Sequence, residues 1–233
     1  MTTKTLPTIS APTIVLELPI SKKKIKYRPF VNKEKKVLLL SKDSDDWDST
    51  LETLRSVILS CTFGTVDIKT IPVADAGYLF IQIRTQSVGN DIQVATKCKA
   101  CEEPIHLNYN LNNVKIDTSK WNPTLMVTDT IGITFKAPTF DDLKYATGDD
   151  ANPEFFIASL IESIFDDSEV YDISNYSKEQ LVEWMDTQLM DEQVKKIHDH
   201  LTEIPTLEQD INYSCPKCGH AHNIHLEGLS DFF

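Results

Sequence analysis

Cys98-Lys99-Ala100-Cys101 and Cys215-Pro216-Lys217-Cys218-Gly219 are two C-x-x-C pairs separated by 113 residues, and they hold four of the chain's five cysteines. A two-residue spacer lets one tight turn present both sulfurs to one ion, and four thiolates at about 2.3 Å around a tetrahedral centre make a closed structural zinc site. The pattern points to one structural Zn2+ held by Cys98, Cys101, Cys215 and Cys218. Paired spacing in a chain with an odd cysteine count fits a metal site in a reducing compartment better than a secreted disulfide framework. Two other readings stand beside this one: a redox-active C-x-x-C, and reduced cysteines without a ligand. Redox chemistry is disfavoured where the pairs sit in hairpins, away from a helix N-terminus that would stabilise a nucleophilic thiolate. His220 and His222 are close enough to the second pair to replace a cysteine, but the simpler reading makes them exposed or supporting side chains.

The flanks say what must position these sulfurs. Ile92 and Val94 alternate with polar residues before the first pair, and Ile105, Leu107, Tyr109 and Leu111 after it. Ile211 and Tyr213 precede the second pair, and Ile224 and Leu226 follow it. Period-two alternation on both sides puts each pair at the tip of a β-hairpin. The tripeptide Ile-His-Leu recurs at 105–107 and 224–226, and its histidines, His106 and His225, should face away from the apolar side. Two such hairpins sharing one ion form a zinc-ribbon-like module. Its halves are further apart than in an ordinary ribbon, because a helical stretch is inserted between them.

Upstream, Ile14, Leu16 and Leu18 alternate, a turn follows at Pro19-Ile20-Ser21, and Lys24 to Arg28 alternate again until Pro29, giving an N-terminal hairpin. Trp47 to Cys61 places Leu51, Leu54, Val57 or Ile58, and Cys61 at helical spacing, so Cys61 is expected as a buried thiol and not as a nucleophile. Residues 73–86 fit both periods; their length favours a helix. Thr139-Phe140-Asp141-Asp142 reads as a helix start with acids in the first turn. Phe156, Leu160 and Ile164, with Ile157, Ile161 and Phe165, then form a wide helical stripe. Ser177-x-x-Gln180 is a capping box opening a helix with Leu181, Trp184 and Leu189 inward. A last helix carries Val194, Ile197, Leu201 and Ile204 before Pro205. The fold class expected is α+β: an N-terminal hairpin and helical region over 1–90, the first half of the ribbon over 91–118, an acidic helical insertion over 119–206, and the second half with an aromatic tail over 207–233.

Charge sharpens the function classes. The 233 residues carry 23 Lys+Arg against 35 Asp+Glu, a net charge of −12, which opposes general binding to phosphate backbones or anionic lipid. The distribution is uneven. Residues 139–210 hold 19 acids and 4 bases, whereas residues 21–36 hold eight bases (Lys22, Lys23, Lys24, Lys26, Arg28, Lys33, Lys35, Lys36) and one acid, Glu34. This basic block is either a solvated face or a docking surface for an acidic protein. The seven glycines form no phosphate-cradling motif, and no HExxH or Ser-His-Asp signature occurs, so no enzyme is indicated. Neither a signal peptide nor an apolar run long enough to span a bilayer is expected. Phe232 and Phe233 at the end of the sequence either pack back on the ribbon or anchor in a partner's pocket.

Several stretches together resemble a known family. Leu6-Pro7-Thr8 with Pro12-Thr13, Lys24-Ile25-Lys26-Tyr27-Arg28-Pro29-Phe30 running into Lys33 to Leu39, Arg84-x-x-Ser87-Val88-Gly89, and Cys215-Pro216-x-Cys218-Gly219 with the closing Leu226-x-Gly228-Leu229-x-Asp231-Phe232-Phe233 resemble the baseplate hub subunit and hub-assembly family of T-even-like contractile-tailed phages. The resemblance implies a non-enzymatic structural or chaperone-like role in building the baseplate hub. Its implied partners are other hub or tail proteins, and its implied location is the virion tail baseplate, or the host cytoplasm during assembly. The alternative class is a zinc-ribbon nucleic-acid or transcription-type module, against which the acidic balance and the lack of arginine beside the cysteine pairs argue.

Overall fold

The computed structural model describes residue 7 and residues 9–42, 47–146 and 151–227, except for the side chains of residues 41–42, 47–48 and 227. The architecture is α+β, with small antiparallel sheets and seven α-helices among the described residues. Strands β1 (Ile14–Glu17) and β2 (Lys24–Tyr27) pair as the expected hairpin. Helices α1 (Asn32–Lys42), α2 (Trp47–Cys61) and α3 (Val73–Val88) follow. The ambiguous stretch at 73–86 is thus helical, because α3 is buried on several sides and needs no strand partner. Leu18, Tyr27, Leu54, Ile58, Cys61, Ile68, Leu79 and Ile83 form the first core, closed below by Phe140.

A buried carboxylate fixes the hairpin to α3. Asp75, in the first turn of α3 and fully buried, accepts the backbone amides of Ile20 at 2.9 Å and Ser21 at 2.8 Å. The hairpin turn is therefore held at the helix N-terminus, where the dipole favours a negative charge.

β3 (Asp91–Lys97) pairs with β4 (Pro104–Asn110), and β9 (Glu208–Ser214) pairs with β10 (Ala221–Glu227), each as a separate antiparallel hairpin. Tyr109, Leu111, Leu207 and Leu226 pack these hairpins onto Ala74 and Ile81 of α3.

The segment between the hairpins holds the helices expected of the insertion, and a sheet in addition. It contains a four-stranded antiparallel sheet in the order β5 (Thr124–Met126), β6 (Gly132–Phe135), β7 (Ile161–Phe165), β8 (Val170–Asp172). Helices α4 (Phe140–Leu143) and α5 (Pro153–Leu160) connect β6 to β7, and α6 (Lys178–Gln188) and α7 (Asp191–Leu201) follow β8. The stripe read as one helix through Phe165 breaks at Leu160. Ile161 and Ile164 enter the central strand instead, and the turn beyond is fixed by Asp166, whose Oδ1 accepts the Ser168 and Glu169 amides at 2.7 and 3.0 Å while its Oδ2 accepts the Tyr171 hydroxyl at 2.9 Å. The capping box at Ser177 and Gln180 opens α6 as read. Val127, Phe135, Leu160, Leu181, Met185 and Ile197 give this segment its own core.

Of the eight bases in the basic block, the seven lysines are exposed and Arg28 is not on the surface they form. Its guanidinium turns in to Glu34 at 2.7 Å and to the Ser60 hydroxyl at 3.0 Å, while Glu34 also accepts the Val31 amide at 2.7 Å and the Ser60 hydroxyl at 2.8 Å. Burial alone would raise the Glu34 pKa, but these donors outweigh it and hold the carboxyl down at about 2. Cys61 lies beside this cluster with no exposed surface, and burial pushes its thiol up to about 11, so it is the inert core thiol expected. No described helix is long and apolar enough to cross a membrane. Phe232 and Phe233 lie outside the described residues.

Candidate metal centre

The two knuckles are built alike. In each, the first cysteine's amide donates to the carbonyl five residues on, Cys98 to Glu103 and Cys215 to His220, both at 2.9 Å. In each, the residue after the second cysteine returns its amide to the first cysteine's carbonyl, Glu102 to Cys98 and Gly219 to Cys215, again at 2.9 Å. That residue has left-handed backbone in both, with φ of 57° at Glu102 and 71° at Gly219. The repeated turn is what aims both sulfurs of a pair off the hairpin tip on the same side.

Folding brings all four sulfurs together although 113 residues of chain run between the pairs. The Sγ atoms of Cys98, Cys101, Cys215 and Cys218 lie within 4.8 Å of one another. Contacts between the pairs are 3.6 Å for Cys98 to Cys218 and 3.7 Å for Cys101 to Cys215. A disulfide would need about 2.05 Å, and all the cysteines are free. A tetrahedron with 2.3 Å arms has edges of about 3.8 Å, which is the separation seen. The donor set and its spacing therefore fit a closed tetrahedral thiolate site.

The electrostatics agree. The amides of Cys218 and Lys217 hold the Cys215 thiol down at about 7. At Cys101 the Glu103 amide works in the same direction, but loss of solvent and the three other sulfurs outweigh it and push that thiol up to about 12. Four clustered thiols cannot all ionise against one another, and a divalent cation that replaces their protons removes the conflict.

Cys98 and Cys215 are buried, Cys101 is half-buried and Cys218 is exposed. Ile105, Leu107 and Tyr213 pack against them. His222 stands with Nε2 3.2 Å from Cys98 Sγ, stacked on Tyr213 at 5.1 Å. All four sulfurs already meet without it, so its place is beside the ligand set, where loss of solvent, with His220 and Lys99 nearby, lowers its pKa. The pairing register separates it from His220: His222 sits directly across from Tyr213, whose alternation with Cys215 points it inward. His220, His106 and His225 are exposed as expected, His225 bonding Asp210 at 3.0 Å. Lys217 reaches across from one knuckle to Glu103 beside the other at 2.6 Å, an exposed pair with no signal in the local sequence.

Against known proteins, the family described as T4 bacteriophage base plate protein matches residues 11–233. No curated protein and no solved structure matches.

Proposed function

This chain belongs to the T4 bacteriophage base plate protein family, and on that footing we propose that it is a non-enzymatic structural or assembly protein of the tail baseplate hub, held in shape by one structural zinc ion. The family match over nearly the whole chain carries the baseplate role. The zinc reading rests on the four clustered thiols of Cys98, Cys101, Cys215 and Cys218, whose number and spacing suit Zn2+. The working division of the chain stays at 1–90, 91–118, 119–206 and 207–233.

The partners are other hub or tail proteins, met in the virion baseplate or in the host cytoplasm while the hub is built. Opposite charge supports this. Seven exposed lysines lie on the N-terminal hairpin and α1, and an acidic segment of nineteen carboxylates against four bases spans 139–210. Complementary patches of this kind steer encounter more than they tighten the complex.

The test combines elemental analysis of the purified chain with mass spectrometry of purified phage particles and of complexes captured from infected cells. One zinc per chain is expected, with hub proteins in the captured complexes. Zinc-free protein of unchanged stability would remove the structural ion, and absence from both particles and tail-protein complexes would remove the hub role.

A further inference from the structure

A groove of about 510 Å³ runs between β7, β8 and α6. Tyr171, Ile173, Tyr176 and Trp184 give it an apolar lining, and of these Tyr176 keeps 43% of its surface exposed. Among the described residues lining it, the charged ones are Asp166 and Glu183, both acidic. Donors from Ser168, Glu169 and Tyr171 hold the Asp166 carboxyl well below the usual carboxylate range, so its charge is fixed. Residues 162–186, which supply most of the walls, hold eight carboxylates and one base, Lys178, and that ammonium lies over the Tyr145 ring at 5.2 Å from its centre. An aromatic trough with carboxylates in its wall suits a helix whose exposed side chains are apolar and basic together.

The chain carries such a helix. α1 turns Glu34 and Leu38 inward, Glu34 buried and Leu38 packed on the first core. Its neighbouring side presents Lys33, Lys36, Val37 and Leu40, all exposed, at the i, i+3, i+4, i+7 spacing by which a helix anchors in a groove. Val37 is 40% and Leu40 76% exposed, which leaves apolar surface open beside two lysines. Groove and stripe are open in one and the same chain, so the stripe does not fill its own groove, and every copy offers both. Opposite charge and matching apolar surface make a second copy the occupant that fits. We propose that the chain associates with itself head to tail: the α1 stripe of Lys33, Lys36, Val37 and Leu40 in one copy docks in the groove between β7, β8 and α6 of the next, with Val37 and Leu40 over Tyr176 and Trp184 and the lysines towards Asp166 and Glu183. Such a contact joins two different surfaces, so it continues into rings or open chains and not into a two-fold dimer.

Sedimentation velocity of the full chain tests this. The mean mass should rise with protein concentration, and raising salt from about 0.05 M to about 0.5 M should weaken association several-fold. A chain that stays monomeric throughout would overturn the assignment and leave the groove to a different protein. Leu40→Asp and Glu183→Lys alter exposed positions, so both variants should melt with the wild type, and each alone should associate at least about tenfold more weakly. Mixed in equal amounts they should form a dimer of one copy of each and nothing larger, because the Glu183→Lys copy keeps an intact stripe and the Leu40→Asp copy an intact groove. Association that survives either substitution, or a mixture that stays monomeric, would show that the stripe and the groove do not meet.

Discussion

Glu102 and Gly219 occupy the same place in the two knuckles, yet only one of them suits it. Left-handed backbone costs a residue with a Cβ roughly 1–2 kcal/mol and costs glycine little. A Cβ on Gly219 would meet nothing within 4 Å, so Gly219→Ala changes backbone preference without a clash. It should destabilise the protein by about 1 kcal/mol, and Glu102→Gly, at an exposed position, should stabilise it by a similar or smaller amount. Chemical denaturation of the metal-bound protein checks both, and matching signs at the two sites would contradict the shared turn. Glu34 carries a pH dependence of known sign. Its carboxyl is held at about 2, below the roughly 4.3 of an unfolded chain, so the unfolded state binds the proton first. The stability it contributes is complete above about pH 5 and lost as pH falls from about 4 towards 2. Glu34→Gln should cost on the order of 2–3 kcal/mol at pH 6, and urea titrations should show that gap narrowing by pH 3.

Elements here are joined by a few polar contacts that link distant parts of the chain, and these were the least legible in the sequence. Asp75 clamps the β1–β2 turn to α3 from 54 and 55 residues away. Nothing in its neighbourhood distinguishes it from an ordinary acid in a first helical turn. Asp75→Ala leaves two partly buried amides without an acceptor and should cost about 2–3 kcal/mol, with raised amide exchange at Ile20 and Ser21 as the local signature. Hairpins, by contrast, were readable, because alternation at Ile92 and Val94 or Ile211 and Tyr213 admits one face only. The helices of 47–61 and 178–188 were readable from periodicity and the Ser177 cap. The failure at 161–165 has a physical reason: Leu160, Ile161 and Ile164 satisfy a helical stripe and a buried central strand equally well, and only pairing with β6 and β8 decides. The deciding local sign was the Asp166-x-Ser168 turn. Of the two histidines that the sequence places near the second pair, His220 and His222, hairpin register and not proximity to Cys215 sets that His222 faces the sulfurs.

At the scale of the whole molecule, the cysteine cluster joins the tips of two hairpins that a long stretch of chain with its own core separates in sequence. The hairpin and α2 share one core, the β5–β8 sheet with α5, α6 and α7 another, and the two knuckle hairpins meet α3 in a third. The small cluster around the sulfurs contains only three buried residues, too few to hold two hairpin tips together unaided. The structural ion proposed there would close a loop of 113 residues, and in the chain-entropy account a link of that length limits the unfolded state by about 4–5 kcal/mol. Metal affinity thereby becomes folding free energy. Removing the metal with a strong chelator, or substituting Cys98→Ser, should lower the melting temperature by well over 5 °C. The losses should also be ordered. Hydrogen exchange should rise first in β3, β4, β9 and β10, whose tips lose their tie, while α2 and the β6–β7 pair keep protection from cores that do not include the sulfurs. A single uniform loss across all elements would mean that the cores are one cooperative unit, and no loss at all would mean that the four cysteines meet without a structural ion.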